Sequence, residues 1–381
     1  MPHVAVLFEF PTLNGGEQSM LAVLKRLRDS HNFRFTAIAP PDGSLADRLR
    51  QLQIPHVPLG FRGSDEIRRP AAEIQAELQA ILLQLQPHIL HANSLSMARM
   101  TGQLQLTELP RCRRTGHLRD IIRLKQKVIA DLNQNDALVA VSEATRSFHV
   151  AQGLDAERCR VIYNGVDTTL FRPRSGQRTL VLPQLPVDAT VLLSVGQICL
   201  RKGQLILAEA AAQLPATDDR IHLVIAGQRH STKRESAEFE QAVRQQFVGR
   251  GLSDRLHMIG YRSDIPQLMN ASDILVHAAH QEPFGRTLLE AAASGLPIIA
   301  TDVGGTSEML RRDKDALLVK AGDVTALQTA IERLTTTPVL AEQLSRSARH
   351  RVQTCFPIQT AATALADFWR DQADGFSVGA E

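Results

Sequence analysis

Residues 278–305, AAHQEPFGRTLLEAAASGLPIIATDVGG, decide how the chain folds. An apolar run, Ile274-Leu275-Val276, leads into them, and Glu282 stands at the end of that strand. Pro283-Phe284-Gly285 make a tight corner, after which a short helix is expected from about Arg286, with Glu290 in its second turn. The helix stops at Ser294-Gly295, where a glycine past the last helical residue is the usual terminator. Pro297 opens a second buried strand, Ile298-Ile299-Ala300, closed by Val303-Gly304-Gly305. The chemistry of such a corner is specific. Unpaired N–H groups at a helix N-terminus attract an anionic phosphate. A carboxylate one turn further in accepts hydrogen bonds from ligand hydroxyls, as an acidic residue does with a ribose diol in dinucleotide folds. A carboxylate just before the corner does the same for a second polyol. Two carboxylates around a phosphate cradle point to a nucleotide joined to a sugar.

Strand and helix patterns alternate on both sides of this stretch. Val4–Phe8 is a continuously apolar strand, as in a sheet covered on both faces. It runs through Asn14-Gly15-Gly16-Glu17 into a helix with Met20, Leu21, Leu24 and Leu27 at helical spacing. A glycine pair at the first strand-to-helix turn lets backbone approach a ligand closely, although a plain turn has the same pattern. Further strands are expected at Phe33–Ala39, Ile89–Asn93, Thr115–Asp120 and Ala137–Ser142, and an amphipathic helix at Ala71–Leu85. A new run begins at Val191–Gly196, followed by the loop Gln197-Ile198-Cys199-Leu200-Arg201-Lys202-Gly203. Leu223–Gly227 is the next strand. Such alternation implies parallel doubly wound sheets that bind ligands at their strand C-termini.

At 381 residues the length fits two domains. Expected boundaries are a first domain over 1–172, a linker over 173–186, a second domain over 187–355, and a last helix within 356–381. With no run of 18 apolar residues and a first strand at the start, a cytoplasmic protein is expected. The four cysteines, Cys112, Cys159, Cys199 and Cys355, are scattered and read as buried free thiols, neither a disulfide framework nor a zinc site. Residues 1–175 carry 22 basic and 17 acidic side chains, net +5; residues 176–381 carry 21 and 23, net −2. Aromatics at 4% and this mild excess exclude a nucleic-acid binder, which usually shows a stronger and more clustered one. A basic first half fits an anionic acceptor or weak contact with an anionic membrane surface. The one basic cluster, seven cations between Arg111 and Lys127, reads as a solvated loop and helix face.

The spacing Glu282-(seven residues)-Glu290 with Phe284-Gly285 inside it resembles the E-x7-E signature of family-4 retaining glycosyltransferases. The likeness covers nearly the whole chain, most densely 191–305. It implies an α/β fold of the GT-B type: two Rossmann-like doubly wound domains facing each other across a cleft, with a C-terminal helix crossing back to the first domain. It further implies sugar transfer from a nucleotide diphosphate-sugar to a hydroxyl acceptor, with retention of anomeric configuration and no metal or other cofactor. On this resemblance Arg201 and Lys202 hold the pyrophosphate, Glu282 and the Phe284-Gly285 backbone the sugar hydroxyls, and Glu290 the ribose. The Gly196 loop, the Thr287-Leu288 corner and the Tyr261-Arg262 segment complete the donor site, and Gly15-Gly16 matches the family's N-terminal glycine-rich loop. His117 takes the place of a histidine facing the transferred sugar, with His91 ranked below it. Gln197 departs from the pattern, where many relatives carry arginine. Asn164-Gly165-Val166-Asp167 recurs at the end of the first domain, and Trp369 is expected to anchor the last helix by packing.

Two patterns are set aside. His277, His280 and Glu282 resemble metal ligands, but their spacing on a strand-to-loop path does not converge as it would on a helix. Asp313-Lys314-Asp315 is literally D-x-D and reads as turn chemistry. Two rivals stay open: another enzyme class on the same architecture, such as a nucleotide-sugar epimerase or a sugar phosphorylase, and a non-catalytic nucleotide-sugar binder.

Overall fold

The computed structural model describes residues 1–28, 33–63, 67–174, 178–214 and 220–374. The chain forms two compact units, Met1–Gly165 with Ile358–Glu381, and Val166–Pro357. Val166–Arg172, placed by sequence in the first domain, pack with the second unit: the Val166 N–H donates to the Phe356 carbonyl at 2.9 Å. Residues 175–177 of the expected linker and 375–381 of the expected last segment lie outside the described residues, and a short helix, Arg178–Val181, follows the first gap.

Among its described residues the first unit holds seven strands: β1 (His3–Leu7), β2 (Arg34–Ala39), β3 (His56–Pro58), β4 (Ile89–Ala92), β5 (Arg113–Leu118), β6 (Ala137–Ala140) and β7 (Cys159–Val161). Their order is β3-β2-β1-β4-β5-β6-β7, and every pairing is parallel. Side chains alternate across a strand, so β1 feeds two cores at once. Val4, Val6 and Phe8 pack under the helix Gly15–Arg28 and the C-terminal helix Ile358–Asp374; Ala5 and Leu7 face Ile74, Leu78 and Leu82 of the helix Ala71–Leu85. Trp369 is fully buried, edge-on to Phe33 with ring centroids 5.9 Å apart. Ser142 caps the helix Glu143–Val150 by accepting from the Thr145 N–H at 3.0 Å.

The second unit holds six parallel strands: β8 (Thr190–Val195), β9 (Ile221–Ala226), β10 (Leu256–Met258), β11 (Ile274–His277), β12 (Ile298–Thr301) and β13 (Leu317–Val319), in the order β10-β9-β8-β11-β12-β13. Each sheet reverses its winding once, between β1 and β4 and between β8 and β11. Ligands of open parallel sheets bind outside the strand C-termini at such a reversal, and the predicted residues other than Tyr261 and Arg262 follow the strands beside these two places. Among the described residues no helix is long and apolar enough to cross a membrane.

Burial keeps the Cys112 thiol up at about 12 and the Cys159 thiol at about 11, so both are inert. Cys199 is half-buried and Cys355 exposed, which corrects the expectation of four buried thiols. In Asp313-Lys314-Asp315, Asp313 takes the left-handed backbone of a turn (φ 54°), while Asp315 is wholly buried, accepting from Arg311 at 2.7 Å and from Ser347 at 2.7 Å. The second carboxylate is a structural ion-pair partner.

Candidate active site

In the second unit the loops after β8 and β11 are locked together. Gly203 sits at φ 65°, and a Cβ there would meet the Ala278 carbonyl oxygen at 1.9 Å, so only glycine allows this approach. The His280 N–H donates to the Arg201 carbonyl at 2.8 Å, and Arg201 Nη1 donates to the Gln281 carbonyl at 3.3 Å. Gln204, buried at the start of the next helix, grips the loop from beneath: its amide donates to the Gln197 carbonyl at 2.8 Å and accepts from the Cys199 N–H at 3.4 Å.

These contacts deliver Lys202 to Glu282. Lys202 Nζ lies 2.5 Å from Glu282 Oε2, and His277 Nε2 lies 2.8 Å from the same oxygen. Burial opposes the charged carboxylate, but the Lys202 charge and the bonds from His277 and Lys202 outweigh it, holding Glu282 well below the usual carboxylate range. His277 is lowered, first by burial and then by Lys202, so its neutral ring donates Nε2–H to the carboxylate. Both bonds fall on Oε2; among the described residues Oε1 has no hydrogen-bond partner. The result is a buried, fixed anion with one oxygen open to a hydroxyl.

The corner beyond it follows the expected path. The Gly305 N–H donates to the Glu282 carbonyl at 3.0 Å, tying the closing glycine pair to the corner. The helix runs Arg286–Ala293 with Gly285 as N-cap and no side-chain cap, and Thr287 is half-buried in its first turn. Phe284 and Leu288 are buried beneath the corner, and a Cβ on Gly285 would sit 3.2 Å from Glu282 Cγ. Glu290 is buried and accepts from Arg286 at 2.5 Å across one helical turn. Gly196 lies beside Lys202, at φ 147°. Tyr261 and Arg262 follow β10, further along the sheet: Tyr261 is 56% exposed, and the Arg262 guanidinium is committed to Asp264 at 2.5 Å. The structure thus gathers Arg201, Lys202, Glu282, Gly196 and Gly285 into one contact network, with Glu290 one turn beyond and Arg262 turned to a neighbour.

At the reversal of the first sheet, Gly15 and Gly16 open the first helix, and Gly16 packs 3.1 Å, by its would-be Cβ, from Arg119 Cδ. Burial raises the Glu17 carboxyl here. His117, at the end of β5, is buried; His91 Nε2 lies 2.9 Å from its Nδ1. His117 and Arg119 line a small pocket with Ser19, Met20, Ile162 and Asn164.

Comparison with known proteins gives the family and the fold. The family described as "Glycosyltransferase Family 4" matches residues 13–170, and "Glycosyl transferases group 1" matches residues 183–351. The chain belongs to these glycosyltransferases. The D-inositol 3-phosphate glycosyltransferase of Thermomonospora curvata is 31% identical over 58% of this chain and 53% of its own length. The lipopolysaccharide core biosynthesis mannosyltransferase LpsB of Rhizobium meliloti is 28% identical over 65% of this chain and 73% of its own. The chain spans about half the length of the inositol-phosphate relatives it matches. Among solved structures, Anabaena HepE in complex with UDP-glucose superposes with a TM-score of 0.85 at 23% identity, covering 97% of this chain and 99% of that one. Sucrose-phosphate synthase from Thermosynechococcus elongatus gives 0.82 at 20%, with coverage of 97% and 99%. These likenesses place the glycosyltransferase on the GT-B fold.

Sequence reasoning missed two residues of this family member's site. Among the described residues His277, His280 and Glu282 form no metal-binding group, as the spacing implies, but His277 does meet Glu282, because the loop folds back over the end of β11; His280 stays exposed. Gln204 carries no motif, and its role is legible only once the loop above it is placed.

Histidines lowered by burial or partial burial make acid stability predictable. His3, His91, His117, His149, His222, His257 and His277 are all lowered, first by burial. Below about pH 6.5 the unfolded chain takes up these protons before the folded one does, so stability falls as pH falls. His91, lowered to about 3, alone removes about 2 kcal/mol between pH 6.5 and 5. Glu282 adds a loss of the same sign below its ordinary 4.5. Urea unfolding is expected to show a clear drop in stability from pH 7.5 to 5.0; equal midpoints would contradict it.

Proposed function

We propose that the protein is a retaining, metal-independent glycosyltransferase that moves a sugar from a nucleotide diphosphate-sugar to a hydroxyl acceptor. The observation that carries the reading is the Lys202–Glu282–His277 array at the reversal of the second sheet, beside the exposed Arg201. Charge developing on the departing diphosphate needs preorganised positive partners. Arg201 and Lys202 supply two, and the N–H groups at the Thr287 corner supply more. Glu282 Oε1 accepts a sugar hydroxyl, and Glu290 accepts from the ribose once Arg286 yields it.

Glu282 is a poor covalent nucleophile and a poor base. A carboxylate acidified this far, with two donors on one oxygen, holds its electrons weakly toward carbon or proton. That supports attack on the donor's front face, with the leaving phosphate taking the acceptor's proton. Retention rests on the family likeness. Weak contact with anionic lipid headgroups, in a cytoplasmic setting, rests on the net +5 of residues 1–175.

The test is a panel of UDP-, GDP- and ADP-sugars. One of them is expected to raise the melting temperature, by the equivalent of about 2.7 kcal/mol at a hundredfold excess over Kd. The same donor is expected to yield nucleoside diphosphate and a product of unchanged anomeric configuration by proton coupling. No thermal shift and no release across the panel, or an inverted product, would sink the reading.

A further inference from the structure

The C-terminal helix reaches His117 through a chain of ring nitrogens. Trp369 Nε1 lies 3.2 Å from His91 Nδ1, and His91 Nε2 lies 2.9 Å from His117 Nδ1. All three rings are buried, with Trp369 edge-on to His91 (centroids 5.3 Å, 79°) and His91 edge-on to His117 (5.1 Å, 84°). An indole N–H donates and never accepts. His91 Nδ1 must therefore be the bare nitrogen, receiving Trp369. Thr115 Oγ1, 2.9 Å from the same atom, adapts by rotating its hydroxyl. A neutral His91 then carries its proton on Nε2 and donates it to His117 Nδ1. His117 in turn carries its own proton on Nε2. The opposite arrangement would set the Trp369 N–H against a His91 N–H.

We propose that Trp369 and His91 are positioning residues that fix His117 as an obligate Nε2–H donor. His117 thus offers Nε2–H to a ligand oxygen in its own pocket and does not act as a proton acceptor there. Burial keeps both rings neutral, His91 near 3 and His117 well below its ordinary value, with the Arg119 charge acting in the same direction. Among the described residues His117 Nε2 has no partner, and His117 lines the pocket also lined by Ser19, whose buried hydroxyl has none either. Helix Ile358–Asp374 closes that pocket with Ala361 and Leu365, so one helix both walls the pocket and sets its donor. The inference rests on the proposed sugar transfer for its purpose, and on geometry alone for the tautomer.

The test is nitrogen NMR of the full chain with 15N-labelled histidine, the two signals assigned by His91→Gln and His117→Asn. At pH 7 without ligand, His117 is expected to show a bare Nδ1 and a protonated Nε2; the reverse tautomer overturns the proposal with no variant needed. Trp369→Phe keeps the aromatic packing and removes the donor. It is expected to mix the tautomers of both histidines and to lower kcat/KM about tenfold. Unchanged tautomers in Trp369→Phe also overturn it. If the wild-type tautomer is as stated but no donor sugar is turned over, the relay stands and the proposed function fails.

Discussion

Lys202→Ala is expected to lower sugar transfer by about 10²- to 10³-fold, the usual cost of removing one preorganised charge from a transition state. Two effects coincide at this position. Lys202 is a half-buried cation assigned to the expected diphosphate, and it neutralises Glu282, whose side chain is only 8% exposed. Removing one member of a buried pair leaves the other uncompensated, at a cost of about 3 kcal/mol or more. The variant should therefore melt earlier as well as turn over slowly. The two losses separate in the double variant Lys202→Ala with Glu282→Gln. Taking away the stranded anion should restore most of the stability and none of the transfer. Transfer that returned together with stability would show that Lys202 is structural only.

Gly203→Ala is expected to be nearly as damaging, for a reason unrelated to charge. A left-handed backbone costs an alanine only about 1 kcal/mol. The decisive term is the Ala278 carbonyl, 1.9 Å from where the methyl would sit, because backbone in a central strand's loop cannot step aside. The loops after β8 and β11 must separate, which moves Lys202 away from Glu282. A melting temperature lower by several degrees and transfer down by more than about tenfold are expected. Gly260→Ala is the control: φ is 69°, but nothing lies within 4 Å of the added carbon. Equal effects at the two glycines would mean that the loops are not packed as described.

How much of this was legible in the sequence follows from which features are local. The Arg286–Ala293 helix, its Gly295 stop and the strands around it were readable because period, corner and terminator lie within one short stretch. Ala71–Leu85 was read to the residue, since Ile74, Leu78 and Leu82 make an unbroken stripe. Lys202 and Glu282 were named separately, but their contact joins positions 80 residues apart, and no local pattern carries that. The His277–Glu282 contact is hidden for the same reason: spacing along a strand says nothing of a loop that folds back. Arg262 looked available by motif, and Asp264, two residues on, engages it. Trp369 was foreseen as an anchor for the last helix. Its N–H to His91 joins positions 278 apart and appears only when the first sheet is assembled.

The account depends most on where a nucleoside diphosphate binds. A crystal structure of the full chain soaked with the nucleoside diphosphate sugar that gives the largest thermal shift is the direct measurement. Phosphate oxygens within hydrogen-bonding distance of Arg201 and Lys202, with the ribose on Glu290 and a sugar hydroxyl on Glu282, is the predicted result. A donor bound elsewhere, with Lys202 still closed on Glu282 and Arg286 on Glu290, would contradict it.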